Sequence, residues 1–265
     1  MKPGGALRLA AALLAAMLPA AAAPAAEERA VYLAEGEDVR LFDHYDNDGY
    51  SLEVRPAAAG SVSLTVRVSD SPLASAAVFP TGNPPEAALP KAPDRDAFAA
   101  AAVEGSARQA EAVSRLLVAL AARVRYDADR ARPQDPSFVF ASGRADCVGF
   151  SELAVDLLRR SGIRARTVQG IVRTGTAEPA HDARIGGSYH RWIEVFYPDR
   201  GWVFSDPSAS INGVDARYLP FSRRSLLRPR ALTLVFVEQS GGLSYGRVEA
   251  GPSRLRERPT SSGGR

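Results

Sequence analysis

Apolar and polar residues alternate through the first part of the chain, between Val31 and Phe79, most regularly over Val62–Val68. A period of two residues is typical of strands that bury one face. Asp46-Asn47-Asp48-Gly49 lies between two such runs and has the residues that hairpin turns favour. A calcium loop is the alternative for these four residues, but Arg55 stands where its closing glutamate would fall. We therefore predict a hairpin turn within a small β module over residues 26–80.

The pattern then changes to one that mixes helices with strands. Five prolines between Pro80 and Pro93 predict a linker over residues 81–95. Apolar residues recur at helical spacing in two segments, Ala97–Val124 and Asp146–Arg160. Residues 96–250 are therefore predicted to form an α+β domain, and residues 251–265, rich in Gly, Ser and Arg, a disordered tail. Four apolar runs predict strands at Thr167–Arg173, Tyr189–Tyr197, Trp202–Phe204 and Ala231–Glu238.

The N-terminus has the pattern of a secretory signal peptide. Two basic residues, Lys2 and Arg8, precede an apolar core at Leu9–Leu18 and the small residues Ala23-Pro24-Ala25. We predict a signal peptide over residues 1–25. The alternative is an uncleaved anchor helix, but this core is short against the roughly 20 residues that a span requires. An exported bacterial chain, periplasmic or extracellular, is expected to keep no transmembrane anchor after cleavage.

Composition and charge exclude several classes of protein. The 265 residues are 46% hydrophobic and 24% charged, which excludes collagen, coiled coils and wholesale disorder. Without residues 1–25 the chain has 31 basic and 30 acidic residues, a balance that gives no reason to expect nucleic acid as a partner. Cys147 is the single cysteine, which excludes an internal disulfide, an iron–sulfur cluster and a multi-cysteine zinc site. We predict no cofactor and no metal, and the sequence leaves the oligomeric state open.

Cys147 stands at the start of the predicted helix over residues 146–160. The free N–H groups and partial positive charge of a helix N-terminus favour a thiolate and can also stabilise an oxyanion. The alternative is a small buried hydrophobic residue, which is what most free cysteines are. An unpaired thiol in an oxidising compartment favours the functional interpretation.

A cysteine nucleophile needs a base, and the base needs a partner that orients it. His44 and His181 lie in polar segments and are expected to be exposed, whereas His190 begins an apolar strand. A turn joins that strand to the one that ends before Asp206, so a hairpin would bring Asp206 opposite His190. An aspartate at this position can accept the imidazole N–H and fix the tautomer. Each residue also has a structural interpretation when it is considered alone.

Together these segments resemble the transglutaminase-like superfamily of papain-type cysteine enzymes. The resemblance covers residues 108–210, and it is the order and spacing of the pieces that make it specific. The matching residues are Gly143, Cys147, Gly149 and Ser151; Leu157-Leu158-Arg159, Gly162-Ile163, Ala165-Arg166, Val168 and Gly170; His190, Trp192 and Glu194-Val195; and Gly201-Trp202-Val203 with Asp206-Pro207.

The resemblance implies a papain-like core, in which a helix with the cysteine packs on an antiparallel sheet with the histidine and aspartate. It implies a catalytic triad of Cys147, His190 and Asp206, and acyl transfer at amide bonds. Tyr126 is the candidate for a side-chain oxyanion donor. Trp192 is a candidate for stacking on substrate, with a core position as the alternative. Calcium dependence is not carried over, because no matching acidic cluster is present.

The expected function is that of an exported cysteine enzyme acting on a protein or peptide substrate. A peptidase or amidase is favoured over a crosslinking transferase, because water competes for the thioester unless the site shields it. The alternative is a non-catalytic binding or assembly module of the cell envelope. In that case the β module and the basic stretch Arg223–Arg230 would carry the function, the latter by contacting an anionic envelope polymer. The β module is also a candidate for a lid or propeptide.

Overall fold

The computed structural model describes nine stretches of the chain. The predicted signal peptide, most of the proline-rich linker and His181 lie outside them. The described stretches are residues 27–58, 60–69, 73–80, 89–129, 131–173, 187–223, 232–241, 246–250 and 253–257.

The described residues form strands and helices in the following order along the chain. They are β1 (Glu27–Glu35), β2 (Tyr45–Asn47), β3 (Tyr50–Pro56), β4 (Ser61–Ser69), α1 (Pro93–Val103), α2 (Gln109–Arg123), β5 (Arg125–Tyr126), α3 (Pro136–Ser142), β6 (Arg144–Ala145), α4 (Cys147–Arg160), β7 (Ala165–Arg173), β8 (Gly187–Tyr197), β9 (Gly201–Ser205), β10 (Ser210–Ile211), β11 (Tyr218–Pro220), β12 (Thr233–Ser240), β13 (Gly246–Ala250) and β14 (Ser253–Glu257).

The predicted N-terminal β module is a sheet in the order β12-β1-β4-β3-β2, with antiparallel pairs throughout. Its hairpin turn lies where the sequence places it, between β2 and β3, and Gly49 adopts a positive φ of 79° there. The sheet also takes β12 from the far end of the chain. The predicted strand at residues 231–238 therefore completes the N-terminal sheet, although the sequence places it within the domain over residues 96–250.

The second sheet has the order β11-β7-β8-β9, and all its pairs are antiparallel. Helix α4 packs on β7 and β8. This is the predicted papain-like arrangement, a cysteine-bearing helix on an antiparallel sheet, and the α+β fold class is confirmed. The single helix predicted over residues 97–124 is wrong. These residues form two helices, α1 and α2. The chain turns between them at Gly105, which has a positive φ of 76°, and Ser106 belongs to neither helix.

The four-stranded sheet lies between two apolar cores, because its two faces alternate along each strand. On β8, Ile193 and Val195 belong to the core formed with the helices. Trp192, one residue away, belongs to the core formed with the N-terminal sheet. The two faces therefore place the helices on one side of the sheet and the N-terminal β module on the other.

Some residues fall outside the predicted elements. Residues 253–257, within the stretch predicted to be disordered, form β14, which pairs with β10 and β13. Helix α1 begins at Pro93, inside the predicted linker. In the part of the chain that the structure describes, no helix combines the length and apolarity needed to cross a membrane.

Candidate active site

Helix α4 begins at Cys147, and the preceding residue, Asp146, caps it. The Asp146 carboxylate accepts the N–H groups of Val148 (2.8 Å) and Gly149 (3.2 Å). The Asp146 N–H donates to the Gln134 side-chain oxygen (3.1 Å), which fixes the residue before the cysteine. The cap leaves the Cys147 thiol half-buried at the positive end of the helix.

Close packing under the first turn of α4 fixes its position. A Cβ at Gly149 would lie 2.3 Å from the Gln134 oxygen and 2.8 Å from both Ala145 and Val139. Glycine is weak in a helix interior by about 1 kcal/mol relative to alanine. This glycine therefore lets α4 approach β6 and α3 closely at a local cost in helix stability.

His190 lies on β8, with Gly170 of β7 as its partner in the sheet. Its Nε2 is 2.5 Å from Oδ2 of Asp206, and the ring also hydrogen-bonds Cys147. Because Asp206 engages Nε2, Nδ1 is the nitrogen that faces the sulfur. The structure thus brings together all three residues of the predicted triad.

Asp206 follows β9 and is completely buried. Ile193 pairs with Ser205, so the register places Asp206 level with Trp192 and diagonal to His190. The prediction that Asp206 lies directly opposite His190 is therefore wrong by one diagonal step. The histidine side chain spans this diagonal to reach the carboxylate.

Hydrogen bonds satisfy both oxygens of the Asp206 carboxylate. Oδ1 accepts the N–H (2.9 Å) and the hydroxyl (2.7 Å) of Ser208. Oδ2, beside His190, accepts the hydroxyl of Tyr218 (2.8 Å). The sequence analysis missed Tyr218, and the strand residues around it carry no signal that distinguishes this tyrosine from a core aromatic.

The opposite charges of His190 and Asp206 counteract the effect of burial on the pKa values of both groups. Burial of the His190 ring disfavours its protonation, but Asp206 and Cys147 outweigh it and raise the pKa of His190 from 6.5 to about 10. Burial also disfavours the Asp206 carboxylate, yet His190, Ser208 and Tyr218 together lower its pKa below the usual 3.8. The site therefore holds an imidazolium beside a carboxylate at neutral pH.

The N-terminal sheet holds the segment that carries Tyr218. Buried hydroxyls of Tyr32 and Tyr50 donate to the carbonyl oxygens of Ala216 (2.7 Å) and Tyr218 (2.6 Å). The Glu28 carboxylate accepts the Ala216 N–H (3.1 Å). The module predicted to be a possible lid thus contacts the backbone beside the triad from the interior of the protein.

A small pocket of about 50 Å³ opens at Cys147 and His190, between the start of α4 and the strands β7 and β8. Gln169, Tyr189 and Arg191 line it. Gln169 and Arg191 are partners across β7 and β8, and both also line a larger pocket of about 260 Å³. The two pockets are therefore neighbours that share part of their lining.

The structure separates the two further candidates from this pocket. Trp192 has an exposed fraction of 0% and packs behind His190, with ring centroids 6.1 Å apart and planes at 20°. A buried ring has no free face for a substrate, so the core alternative describes Trp192. Tyr126 is 51% exposed and stacks on Phe150 at 6.3 Å, and it is not among the lining residues of the pocket. Its role as an oxyanion donor stays a prediction.

Metal ligands are not gathered in the described stretches. No group of three His, Cys, Asp or Glu side chains among those residues has the arrangement of a metal site. Nearby carboxylates instead pair with arginines, as Glu194 does with Arg166 (2.6 Å) and Arg223 (3.2 Å).

Comparison with known families finds a match over the segment that contains this site. Residues 96–207 match the family described as the transglutaminase-like superfamily, and this range contains Cys147, His190 and Asp206. A curated relative, "Uncharacterized protein YebA" of Bacillus subtilis (strain 168), is 35% identical over 78 residues. That alignment covers 27% of this chain and 10% of the relative, so the chain spans about a tenth of the relative's length.

Two solved structures that resemble this chain have low sequence identity to it. "Putative Cysteine Protease from Cytophaga hutchinsonii" is 11% identical, with a TM-score of 0.44, and the alignment covers 83% of this chain and 89% of that one. The periplasmic domain of TgpA from Pseudomonas aeruginosa is 17% identical, with a TM-score of 0.37, and the alignment covers 69% and 87%.

Proposed function

We propose that this chain, whose residues 96–207 match the transglutaminase-like superfamily, is a cysteine peptidase or amidase acting on a protein or peptide. The observation that carries the proposal is the 2.5 Å contact between His190 Nε2 and Asp206 Oδ2, with Cys147 hydrogen-bonded to the same ring. Nucleophile, base and orienting carboxylate then stand in the order that thiol catalysis requires. A structural cysteine has no need of the other two residues.

Acylation begins from a thiolate and an imidazolium. The Cys147 sulfur attacks the amide carbonyl carbon, and the carbonyl electron pair moves to oxygen. The Cys147 backbone N–H, which the Asp146 carboxylate does not engage, is a donor for that oxygen. When the C–N bond breaks, the proton on His190 passes to the leaving amine, and the acyl group remains as a thioester. Asp206 holds the ring throughout and stabilises its charged form.

Deacylation decides between a hydrolase and a transferase. The side chain of His190 keeps an exposed fraction of 16%, and Cys147 is half-buried. Because water reaches both, the neutral imidazole can take a proton from water as the oxygen attacks the thioester. The products are a carboxylic acid and the free thiol. This supports hydrolysis over transfer to an amine, which would give a crosslink.

The competing function is a non-catalytic binding or assembly module of the cell envelope. It predicts that the biological role survives Cys147→Ala. The proposal predicts that the role is lost in Cys147→Ala, because the replacement removes the nucleophile without adding bulk.

The first test is alkylation of Cys147 by iodoacetamide, followed by mass spectrometry in the wild type and in His190→Ala. Cys147 is the only cysteine, so the site of modification is unambiguous. An ordinary thiol has a pKa near 8.5 and reacts slowly at pH 6. We expect fast reaction at pH 6 that slows at least ~tenfold in His190→Ala. Equal rates in the two proteins would refute the pairing of Cys147 with His190 and, with it, the proposed enzyme function.

The second test separates the products. The enzyme is incubated with a peptide amide in the presence and absence of a primary amine such as cadaverine. We expect the free acid to be the predominant product in both cases. Predominant amine incorporation would instead assign a transferase.

Export is part of the proposal. It is supported by the charged start, apolar core and small residues of positions 1–25. N-terminal sequencing of the protein from a periplasmic fraction tests it, with Ala26 as the expected first residue.

A further inference from the structure

The larger pocket beside the candidate active site is lined by an unusual set of charges. Its lining residues include Arg166, Arg191 and Arg223, with Glu194 as the only acidic side chain among the described residues that line it. The lining side chains therefore carry a net charge of +2. Outside the lining, Glu152 pairs with Arg191 at 2.7 Å and offsets one of these charges.

Glu194 contacts two arginines, and one donor of Arg166 is left without an acceptor among the described residues. Its carboxylate is fully buried and is shared between Arg166 Nε (2.6 Å) and Arg223 Nη2 (3.2 Å). Within the described residues, Nη2 of Arg166 is buried and has no hydrogen-bond acceptor. A buried guanidinium donor without an acceptor is costly, so a negative charge that a ligand brings close to Arg166 would be bound favourably.

The pocket is within reach of a peptide whose scissile amide lies at Cys147. Glu194 is four residues along β8 from His190, roughly 13 Å at the rise of a strand. Two or three extended residues and one side chain span that distance. The volume of about 260 Å³ is below the ~300 Å³ at which small-molecule sites begin, and it suits a single side chain or chain end.

We propose that this pocket is a carboxylate-binding subsite, which selects substrates with an acidic group two or three residues from the bond that is cleaved. The inference rests on the proposed function, because it assigns part of the substrate of the same site. Arg223, whose side chain is 49% exposed, is the donor, Arg166 adds positive charge beside it, and Gln169 and Arg191 line both this pocket and the catalytic pocket. The acidic group is either a side chain or the α-carboxylate of the peptide, since both present the same two oxygens.

The test uses reactive peptides that label Cys147 directly. Bromoacetyl tripeptides extend from the sulfur in one chain direction, and tripeptidyl chloromethyl ketones extend in the other. Each position in turn carries Glu or its neutral counterpart Gln, and the bromoacetyl series ends in a free acid or an amide. Rates of labelling are read by mass spectrometry on the full mature chain.

We expect Glu to label at least about tenfold faster than Gln at one position only, which corresponds to one charge-assisted hydrogen bond. A preference that follows the C-terminal acid instead assigns the α-carboxylate as the ligand. Equal rates for every Glu and Gln pair, or a uniform preference at all positions, would overturn the subsite. The first outcome means no selection and the second a general attraction of anions.

The variant Arg223→Gln tests the residue itself. Arg223 has a side-chain exposed fraction of 49%, so the core tolerates its replacement. We expect the Glu-to-Gln ratio of labelling rates to fall about tenfold in this variant. The matched control is Arg67→Gln, which breaks another exposed ion pair, with Glu27, on the N-terminal sheet. An unchanged ratio in Arg223→Gln, or an equal fall in Arg67→Gln, would refute the assignment.

Failure of the subsite is distinguishable from failure of the proposed function. If neutral iodoacetamide labels Cys147 in a His190-dependent manner while Glu and Gln probes react equally, the proposed function is supported and the subsite is refuted. If no reagent shows dependence on His190, the proposed function falls first.

Discussion

Tyr218 donates a hydrogen bond of 2.8 Å to Oδ2 of Asp206, the same carboxylate oxygen that contacts His190 Nε2. The tyrosine hydroxyl and the imidazole thus share one acceptor. Tyr218 lies on β11, at the other end of the sheet from β9 in strand order. The orientation of His190 therefore depends on a strand that carries none of the three triad residues.

Tyr218→Phe is expected to slow alkylation of Cys147 about tenfold at pH 6, because the carboxylate that orients His190 loses a donor. The Tyr218 hydroxyl is among the groups that lower the pKa of Asp206. The acid limb of the rate profile should therefore move to higher pH. The measurement is the iodoacetamide rate between pH 3 and pH 8.

The matched control for this variant is Tyr197→Phe. Tyr197 is also fully buried and donates a 2.7 Å hydrogen bond to Asn212, which is none of the three triad residues. If both variants slow the reaction equally, Tyr218 has only a structural role.

Asp206→Asn is expected to lower the pKa of His190 well below about 10. Burial of the ring lowers this pKa, and the Asp206 carboxylate is the largest influence that raises it. NMR titration of the histidine ring protons measures the change, and the His190 signals are assigned by their loss in His190→Gln. An unchanged titration would show that Asp206 does not hold the proton on the ring.

The stability of the protein is expected to depend on pH through the same pair. The folded-state pKa of His190 is raised, so its contribution to the free energy of unfolding is complete below pH 6.5 and is lost as pH rises through about 10. The pKa of Asp206 is lowered, so its contribution is present above 3.8 and is lost as pH falls below that value. The contribution of the pair is thus greatest between roughly pH 4 and 6.5.

Urea unfolding of the wild type and of His190→Gln measures this contribution across pH. The difference between the two free energies of unfolding should be largest near pH 5 to 6 and should shrink steadily towards pH 10. A difference that is constant from pH 5 to pH 10 would contradict the raised pKa of His190.

Tyr50→Phe is expected to destabilise the protein by about 1 kcal/mol, because it removes a buried hydrogen bond to a carbonyl oxygen. The lost bond is the 2.6 Å contact from the Tyr50 hydroxyl to Tyr218. Alkylation of Cys147 should slow as well, since the backbone of the residue that supports Asp206 is less firmly held. Urea unfolding measures the first effect and the iodoacetamide rate the second. Stability loss with an unchanged rate would limit the N-terminal sheet to a structural role.

Cys147, His190 and Asp206 could be predicted as one candidate site because each has a local signal and because their order and spacing resemble a known family. Cys147 follows a helix cap, His190 begins an alternating strand, and Asp206 ends the next one. Helix α4 and the strands β7 to β9 could be predicted because their apolar periods are long and uninterrupted. Their hairpin connection then determined which residues share a face.

Other features depend on contacts between segments far apart in the chain. Tyr218 and Asp206 belong to different strands, and the tyrosines that hold the Tyr218 segment lie more than 160 residues away. The strand β12 resembled the others in its apolar pattern, yet it pairs with β1, because an apolar run does not specify its partner. The prediction of one helix over residues 97–124 was wrong at Gly105, because the apolar residues on both sides keep helical spacing and a single break does not change that pattern.

The sequence by itself predicted the α+β core from local periodicity and capping, and it singled out Cys147, His190 and Asp206 as a candidate triad because their order and spacing resemble the transglutaminase-like superfamily. Only the tertiary structure decided the diagonal reach from His190 to Asp206, the donor at Tyr218 and the burial of Trp192. It also decided the cationic pocket beside Cys147. These depend on strand register and on the packing of two sheets, which no local pattern of residues encodes.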